Sequence, residues 1–221
     1  MKQYRAVIFD WDGTVMNSTQ AIVASIQGAC ADMNLPVPDA RTASWVIGLS
    51  LETALYHVVP TLTADQMEEF QHRYRTHYFS QDSQLPLFEG MPELLSELRG
   101  QGTLLGVATG KSRAGLDRVL VQCGMHDHFD VTRCADETFS KPHPAMLLEI
   151  LAELYLEPHE VVMVGDTCHD MQMARNAGVD GLAVSYGAQD VEALSAGQPL
   201  AIVDSVEQMQ DWLTDRVAVL R

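Results

Sequence analysis

Short apolar runs alternate with segments of helical periodicity through most of the chain. Runs suited to buried strands lie at 6–9, 103–108, 129–133, 161–164, 181–184 and 201–203. Helices are expected between them at 90–98, 112–123, 144–154 and 168–177, near position 191, and from position 206 onward. Because strands that alternate with such helices pair through right-handed crossovers, the pattern predicts an α/β fold with a parallel sheet.

The segment after the first strand has a different pattern, since helical periodicity continues for about seventy residues without a strand. Helices are expected at 17–33, 40–46, 51–59 and 63–79. The first would begin at Asn17 and Ser18, and the last has the capping-box spacing of Thr63 and Gln66. We therefore expect two domains, an α/β core of residues 1–17 and 86–221 and an α-helical cap of residues 18–85. The cap would lie over the carboxyl edge of the sheet.

The formal net charge of −16 narrows the range of possible partners. Binding to nucleic acid or to an anionic membrane depends on clustered lysines and arginines, and the chain has 14 of these against 30 acidic residues. We therefore expect neither partner. The sequence has no apolar stretch typical of a signal peptide or a membrane span, so we expect a cytoplasmic protein. Its four cysteines form no C-x-x-C pair and are expected to be free thiols.

The first apolar run ends in Asp10-Trp11-Asp12-Gly13-Thr14, which places two carboxylates at the carboxyl edge of the predicted sheet. Two anions this close repel each other, and a divalent cation with oxygen ligands, above all Mg²⁺, relieves that repulsion. An isolated Asp-x-Asp-Gly is more often a surface turn. The segments that follow favour a phosphoryl-transfer site instead.

The second apolar run of this kind also ends in a polar residue, Thr109, followed by Gly110, Lys111 and Ser112. A hydroxyl beside glycine at the start of a helix is suited to a phosphate oxygen. The alternative is that Ser112 only caps its helix.

A third apolar run ends in Gly165 and Asp166, and Asp170 follows in the next predicted helix. Either acid could instead stabilise the start of that helix. Lys141 precedes Pro142 on a stiffened loop, where its ammonium could balance Asp10; a solvated lysine is the alternative. Three strands that end in polar groups at one edge favour a shared site over three unrelated turns.

Together these segments resemble the haloacid dehalogenase superfamily of phosphotransferases. Residues 10–14 match the first motif, Thr109 the second, Lys141 with Pro142 the third, and Gly165-Asp166 with Asp170 the fourth, in the family's order. The resemblance spans residues 6–170 and implies a Rossmann-like parallel sheet core with helices on both faces. The helical insertion is similar to the α-helical cap of the phosphoglycolate phosphatase and β-phosphoglucomutase-like branch, and Gly48 to the cap loop that enters the active site there.

The resemblance also implies a role for each residue. Asp10 would be the nucleophile that forms an aspartyl-phosphate, and Asp12 the acid and base. Thr109, Lys141 and the N–H groups near Trp11 and Gly110 would hold the phosphoryl oxygens. Mg²⁺ would be bound by Asp10, the backbone carbonyl of Asp12, and Asp166. Asp170 would orient Lys141 or a metal-bound water without binding the metal itself.

The expected activity is Mg²⁺-dependent hydrolysis of a small phosphorylated metabolite, with 2-phosphoglycolate or a sugar phosphate as the leading substrate classes. A mutase on the same scaffold and a phosphate-binding regulatory module without turnover are the alternatives. A dehalogenase is disfavoured, because it would need neither Asp12 nor a metal. Cap residues that could select the substrate are Gly48, Trp45, Arg41, Arg73 and Arg75. The sequence carries no signal for an oligomeric state.

Overall fold

A computed structural model of the chain describes residues 3–81 and 85–218 and contains a six-stranded sheet. All of its strand pairs are parallel, and the strand order is β3-β2-β1-β4-β5-β6. The strands are β1 Ala6–Phe9, β2 Leu104–Thr109, β3 Val131–Cys134, β4 Val161–Gly165, β5 Asp180–Val184 and β6 Ala201–Val203. The predicted parallel sheet is thus confirmed, with strand ends displaced by at most two residues.

The helices follow the predicted pattern closely. Before β2 they are α1 Thr19–Asp32, α2 Ala40–Trp45, α3 Leu51–Val58, α4 Ala64–Phe79 and α5 Met91–Gly100. After it they are α6 Arg113–Gln122, α7 Ala145–Leu154, α8 Cys168–Ala177, α9 Val191–Ala196 and α10 Val206–Thr214. Within the described ranges, no helix is both long and apolar enough to cross a membrane.

The start of α1 differs from the prediction by one residue. Its N-cap is Ser18 and not Asn17, and the Ser18 hydroxyl makes no capping hydrogen bond. That hydroxyl donates instead to Oδ1 of Asp12 at 2.6 Å. A side chain expected to begin a helix is therefore committed to the carboxyl edge of the sheet.

Side chains of β1 alternate between two apolar layers, as a strand buried on both faces requires. Val7 and Phe9 face one layer, which α5, α6 and α10 cover, whereas Ala6 and Ile8 face the other, which α7 and α8 cover. The sheet therefore carries helices on both faces, as the family resemblance implied.

Helices α1 to α4, which lie between β1 and α5 in the sequence, pack around an apolar cluster of their own. Ile26 of α1, Leu55 of α3 and Phe70 of α4 are its most completely buried large side chains. Gln66 Oε1 accepts the backbone N–H of Thr63 at 3.0 Å at the start of α4, in line with the predicted capping-box spacing.

The strand register brings three chain segments to one edge of the sheet. Phe9, at the end of β1, lies opposite Val107 of β2 and Val164 of β4. The residues that follow these positions leave the sheet side by side, because parallel strands end at a common edge. This register positions the candidate site.

Candidate active site

Asp10 and Lys141 form an ion pair that is almost completely removed from solvent. Lys141 Nζ lies 2.6 Å from Oδ1 of Asp10 and 2.7 Å from Oδ1 of Asp170. The side chains of Asp10, Lys141 and Asp170 are at most 1% exposed. The lysine that the sequence placed on a stiffened loop therefore reaches the carboxylate at the end of β1.

Burial determines the protonation behaviour of this group. It raises the pKa of Asp10 above its ordinary value, with Lys141 opposing the shift and Asp170 adding to it. Burial also raises the pKa of Asp166, and the charges of Asp10 and Asp170 add to that rise. For Lys141, burial alone lowers the pKa, but Asp10 and Asp170 outweigh it and raise the pKa, so the ammonium stays charged. The site thus favours additional positive charge.

Asp166 completes a compact group of carboxylates with Asp10 and Asp170, whose oxygens lie within 4.8 Å of one another. Its Oδ1 accepts from the Thr14 hydroxyl at 3.0 Å, and its Oδ2 accepts from the backbone N–H of Ala188 at 2.7 Å. These two donors fix the orientation of the carboxylate.

The oxygen donors at this edge fit a hard divalent cation. Oδ2 of Asp10 is buried and has no hydrogen-bond partner among the described residues. Carboxylate oxygens crowded together in a buried group are unfavourable without a cation and are suited to binding one. The three carboxylates could therefore hold a divalent metal ion.

The Asp12 side chain has its own partners, Ser18 and Lys111, and is not one of the three clustered carboxylates. Its Oδ1 accepts from Ser18, as described above, and lies 3.0 Å from Nζ of Lys111. Lys111 also donates to the Tyr78 hydroxyl of α4 at 3.0 Å. A buried lysine thus links Asp12 to the helical insertion, which the sequence reasoning missed.

The residues expected to hold phosphoryl oxygens lie at the same edge. Thr109 is the last residue of β2, fully buried, and its hydroxyl accepts the backbone N–H of Lys111 at 3.2 Å. The Trp11 ring is buried in the core, edge-on to Phe129 with 6.0 Å between ring centroids. Only the backbone of Trp11 is therefore available to a ligand.

Comparisons with known proteins agree with this geometry. The sequence profile of the haloacid dehalogenase-like hydrolases matches residues 7–184. The chain belongs to this family. The matched range contains all four motifs and the segments between them, which confirms the resemblance inferred from the motifs.

Two curated relatives of this haloacid dehalogenase-like hydrolase carry phosphatase names. "Probable phosphatase IndB" of Dickeya dadantii is 34% identical over 209 residues, which cover 92% of this chain and 90% of the relative. The phosphoglycolate phosphatase of Pectobacterium atrosepticum is 32% identical over 206 residues, covering 90% and 88%. The solved structure of a haloacid dehalogenase-like family hydrolase from Streptococcus pneumoniae is 26% identical with a TM-score of 0.81, and the match covers 95% of this chain and 98% of that one. This chain is therefore an enzyme of the phosphatase type within the family.

The loop around Gly48 contacts the active site of this hydrolase. A Cβ atom at Gly48, which has a φ of +90°, would lie 3.3 Å from the Thr167 hydroxyl and 4.0 Å from Cδ of Lys141. A Cβ atom at Gly110 would collide with the carbonyl oxygens of Gly48 and Leu49. The two glycines therefore permit a close approach between the loop and the end of β2.

A second set of contacts fixes the same segment from its other side. The Trp45 carbonyl lies 2.9 Å from Nε2 of His169 and accepts from Nε2 of Gln189 at 3.2 Å. The backbone N–H of Ser50 donates to the Ser140 hydroxyl at 2.9 Å. Hydrogen bonds at both ends hold the segment against the sheet edge.

The cap residues proposed to select substrate separate into two groups. Gly48 and Arg75 line a cavity of about 770 Å³ that opens beside Asp12 between the helical insertion and α6. Trp45 instead stacks on His57 at 4.4 Å, and the exposed Arg41 and Arg73 pair with Asp190 at 3.5 Å and with Glu69 at 2.6 Å. Neither Arg41 nor Arg73 lines the cavity. Both are oriented toward surface acids.

The alternative helix-capping roles are resolved residue by residue. Ser112 does cap α6, since its hydroxyl accepts the backbone N–H of Gly115 at 3.3 Å. Thr167, and not Asp166, is the N-cap of α8. Asp170 Oδ2 accepts from the hydroxyl and the backbone N–H of Thr167, at 2.6 and 3.1 Å. Asp170 thus stabilises the helix through one oxygen while its other oxygen pairs with Lys141.

Proposed function

We propose that this chain is a Mg²⁺-dependent phosphatase that hydrolyses a small phosphomonoester through an aspartyl-phosphate at Asp10. The observation that carries the proposal is the state of the Asp10 carboxylate. One of its oxygens pairs with Lys141 at 2.6 Å, and the other is buried without a hydrogen-bond partner among the described residues. An oriented carboxylate with one unengaged oxygen is suited to in-line attack on phosphorus.

In the first half-reaction, Oδ2 of Asp10 forms a bond to phosphorus while the bond to the leaving oxygen breaks. Asp12 gives its proton to that oxygen, so the product leaves as a neutral alcohol. The phosphoryl oxygens are held by Lys141, the Thr109 hydroxyl and the backbone N–H groups of Trp11 and Gly110. Contacts with Lys111 and Ser18 hold the Asp12 side chain in place.

In the second half-reaction, Asp12 takes a proton from the water that attacks the phosphorus of the aspartyl-phosphate. The bond between phosphorus and Asp10 breaks, which releases inorganic phosphate and restores the carboxylate. Asp12 is protonated again at the end and is ready for the next substrate.

The metal is assigned to Asp10, the backbone carbonyl of Asp12, and Asp166. A bound Mg²⁺ supplies positive charge that offsets the crowded carboxylate and phosphoryl oxygens. Asp170 acts through Lys141, whose ammonium it holds at 2.7 Å. The second ion pair keeps Lys141 in place when phosphoryl oxygens compete for it.

The helical insertion is assigned as a cap domain of residues 18–85 on a catalytic core of residues 1–17 and 86–221. Contacts of the Gly48 loop with Gly110 and with Thr167 support this division, because they connect the insertion to the site. A cap in this position excludes bulk water and limits the size of the substrate. The names of the relatives make 2-phosphoglycolate the first substrate to examine, followed by sugar phosphates.

The proposal is tested by measuring inorganic phosphate released from p-nitrophenyl phosphate and from a panel of small phosphomonoesters. Each assay is run with Mg²⁺ and with EDTA. We expect release that depends on Mg²⁺ and stops with EDTA. Release that is unaffected by EDTA would remove the metal from the mechanism, and no release from any substrate would favour a binding module.

A further inference from the structure

The cavity beside Asp12 defines the space available to the leaving group. Asp12, the proposed proton donor to the leaving oxygen, lines this cavity together with Gly110 and Lys111 of the β2–α6 connection. Asp10, Lys141 and Asp166 lie outside its lining. A phosphoryl group at Asp10 would therefore direct its leaving group past Asp12 into the cavity.

The size of the cavity exceeds what glycolate requires. Glycolate has roughly five non-hydrogen atoms, and at about 30 Å³ each, the share of a water molecule in the liquid, it would occupy roughly 150 Å³. The cavity measures about 770 Å³, within the range of pockets that hold drug-sized ligands. The Gly48 loop already contacts Gly110 in this structure, so the cavity has this volume while the loop lies against the site.

The lining of the cavity is largely apolar. Its aliphatic side chains include Ile22 and Ile26 of α1, Leu49 of the loop before α3, and Ala54 of α3. These aliphatic groups offer no hydrogen bonds to the hydroxyl groups of a sugar, although charged side chains such as Glu52, Arg75 and Arg118 also line the cavity. The aliphatic surface is stabilised by contact with an apolar group of matching size.

Aromatic rings of α4 form a further wall of the cavity. Tyr74 and Tyr78 stack with 6.0 Å between ring centroids and an interplanar angle of 14°. Lys111 anchors Tyr78, because its ammonium donates to the hydroxyl and lies 4.8 Å from the ring centroid. Anchored aromatic rings beside aliphatic side chains are suited to packing against a ring of the ligand.

We infer that the preferred substrates are phosphomonoesters whose leaving group carries an apolar or aromatic ring, which packs in this cavity between the α4 tyrosines and the aliphatic wall. This inference rests on the proposed phosphatase activity and specifies its substrate class. It predicts that 2-phosphoglycolate, named in the relatives, is a poor substrate here.

The test compares two alkyl phosphates that differ in a phenyl ring, with 2-phosphoglycolate as a third substrate whose leaving group carries a carboxylate. The kcat/KM values of 2-phenylethyl phosphate, ethyl phosphate and 2-phosphoglycolate are measured with Mg²⁺. We expect the ring-bearing substrate to exceed both others by roughly tenfold or more, as burial of additional apolar groups in a specificity pocket predicts. Equal values, or a preference for 2-phosphoglycolate, would overturn the inference while leaving the phosphatase activity established.

A cavity-filling variant tests whether the preference for a ring-bearing substrate arises in this cavity. Ala54→Phe introduces a ring into the cavity and should lower the ratio of kcat/KM for 2-phenylethyl phosphate over ethyl phosphate by roughly tenfold. Ala64→Phe, at an exposed position outside the lining, is the matched control and should keep the ratio of the parent protein. A ratio unchanged in Ala54→Phe, with normal thermal unfolding, would contradict the assignment of this cavity.

Binding provides a readout that does not depend on turnover. Calorimetric titration of the unmodified protein with 2-phenylethylphosphonate and with ethylphosphonate, both with Mg²⁺ present, should show roughly tenfold tighter binding of the ring-bearing ligand. Equal affinities would overturn the inference, whether or not any phosphomonoester is hydrolysed. Loss of hydrolysis with the binding preference retained would instead contradict the proposed function alone.

Discussion

Asp10 lies at the end of a central strand with both its charge and its geometry determined by neighbours. Burial raises its pKa, and Lys141 at 2.6 Å favours the ionised form that a nucleophile needs. These opposing effects make the carboxylate sensitive to any change in shape or charge.

Asp10→Asn tests the nucleophile with minimal change in shape. The amide cannot form an acyl phosphate in the same way, so we expect kcat to fall about 10⁴-fold or more. Because Lys141 keeps Asp170 as a partner, the thermal unfolding transition should remain cooperative. Phosphate release and calorimetric unfolding are the two measurements. Activity within tenfold of the parent protein would remove Asp10 from the proposed role.

Lys111 tests whether Asp12 depends on a buried cation. Lys111→Met leaves the Asp12 carboxylate without its ion-pair partner in a site only 11% exposed, so we expect a loss of about 3 kcal/mol in the free energy of unfolding. Arg73→Met removes the exposed pair with Glu69 and serves as control, with no measurable loss expected because a solvent-exposed ion pair contributes little. Urea unfolding measures both. Equal losses in the two variants would show that the pair with Asp12 contributes no more than a surface pair.

The positions of the residues at the ends of apolar runs were predictable, because the end of each predicted strand places the next side chain at the edge of the sheet. Asp10, Thr109 and Asp166 all lie at the edge where the pattern placed them. The partners of Asp12 were not predictable in this way. Ser18 looked like a helix start, and the direction of Lys111 depends on the turn after β2, which carries no hydrophobic periodicity.

At the scale of elements, the loop between α2 and α3 connects the insertion to the sheet edge. Its backbone approaches Gly110 so closely that no side chain fits between them. The loop position thus depends on a contact between two backbones.

Gly110→Ala should hold this loop away from the site. The added methyl group would collide with the carbonyl oxygens of Gly48 and Leu49, and we expect kcat/KM to fall about 100-fold, since displacements near 1 Å have effects of that size. Gly100→Ala, at the end of α5 with open space around it, is the matched control and should keep the parent kcat/KM. Unchanged kcat/KM in Gly110→Ala would show that the loop contact has no part in catalysis.

Hydrophobic periodicity predicted the bounds of the helices and strands better than it predicted the directions in which their polar side chains point. The α4 helix was predicted within a residue at each end, yet Arg75 lines the cavity while Arg73 pairs with Glu69 on the surface. Both arginines occur in a helix with only three buried residues, Met67, Phe70 and Tyr78. A pattern with so few buried positions does not determine which polar face meets the substrate.

At the scale of the whole molecule, a strongly acidic chain provides a local positive site for an anionic substrate. The net charge is −16, and the carboxyl edge of the sheet holds the fully buried ammonium of Lys141 and the ammonium of Lys111, whose side chain is 11% exposed. A divalent cation bound by Asp10 and Asp166 would add to this local charge. Its binding should therefore stabilise the fold as a whole.

Mg²⁺ should raise the thermal unfolding temperature of the metal-free protein. A ligand present at 100 times its dissociation constant stabilises the folded state by about 2.7 kcal/mol. In Asp166→Asn this increase should be largely lost, because a neutral amide replaces a charged ligand. Calorimetry with and without Mg²⁺ measures the shift in both proteins. The same Mg²⁺-dependent shift in the variant would exclude Asp166 from the metal site.

Trapping the phosphoryl group during turnover shows whether Asp10 carries it. The enzyme is mixed with Mg²⁺ and a phosphomonoester that it hydrolyses, quenched in acid during turnover, digested and analysed by mass spectrometry. We expect one added phosphoryl group on the peptide that contains Asp10, absent from the Asp10→Asn variant. A phosphoryl group on any other residue, or an unmodified peptide under conditions where a burst of alcohol release precedes phosphate release, would contradict this role of Asp10.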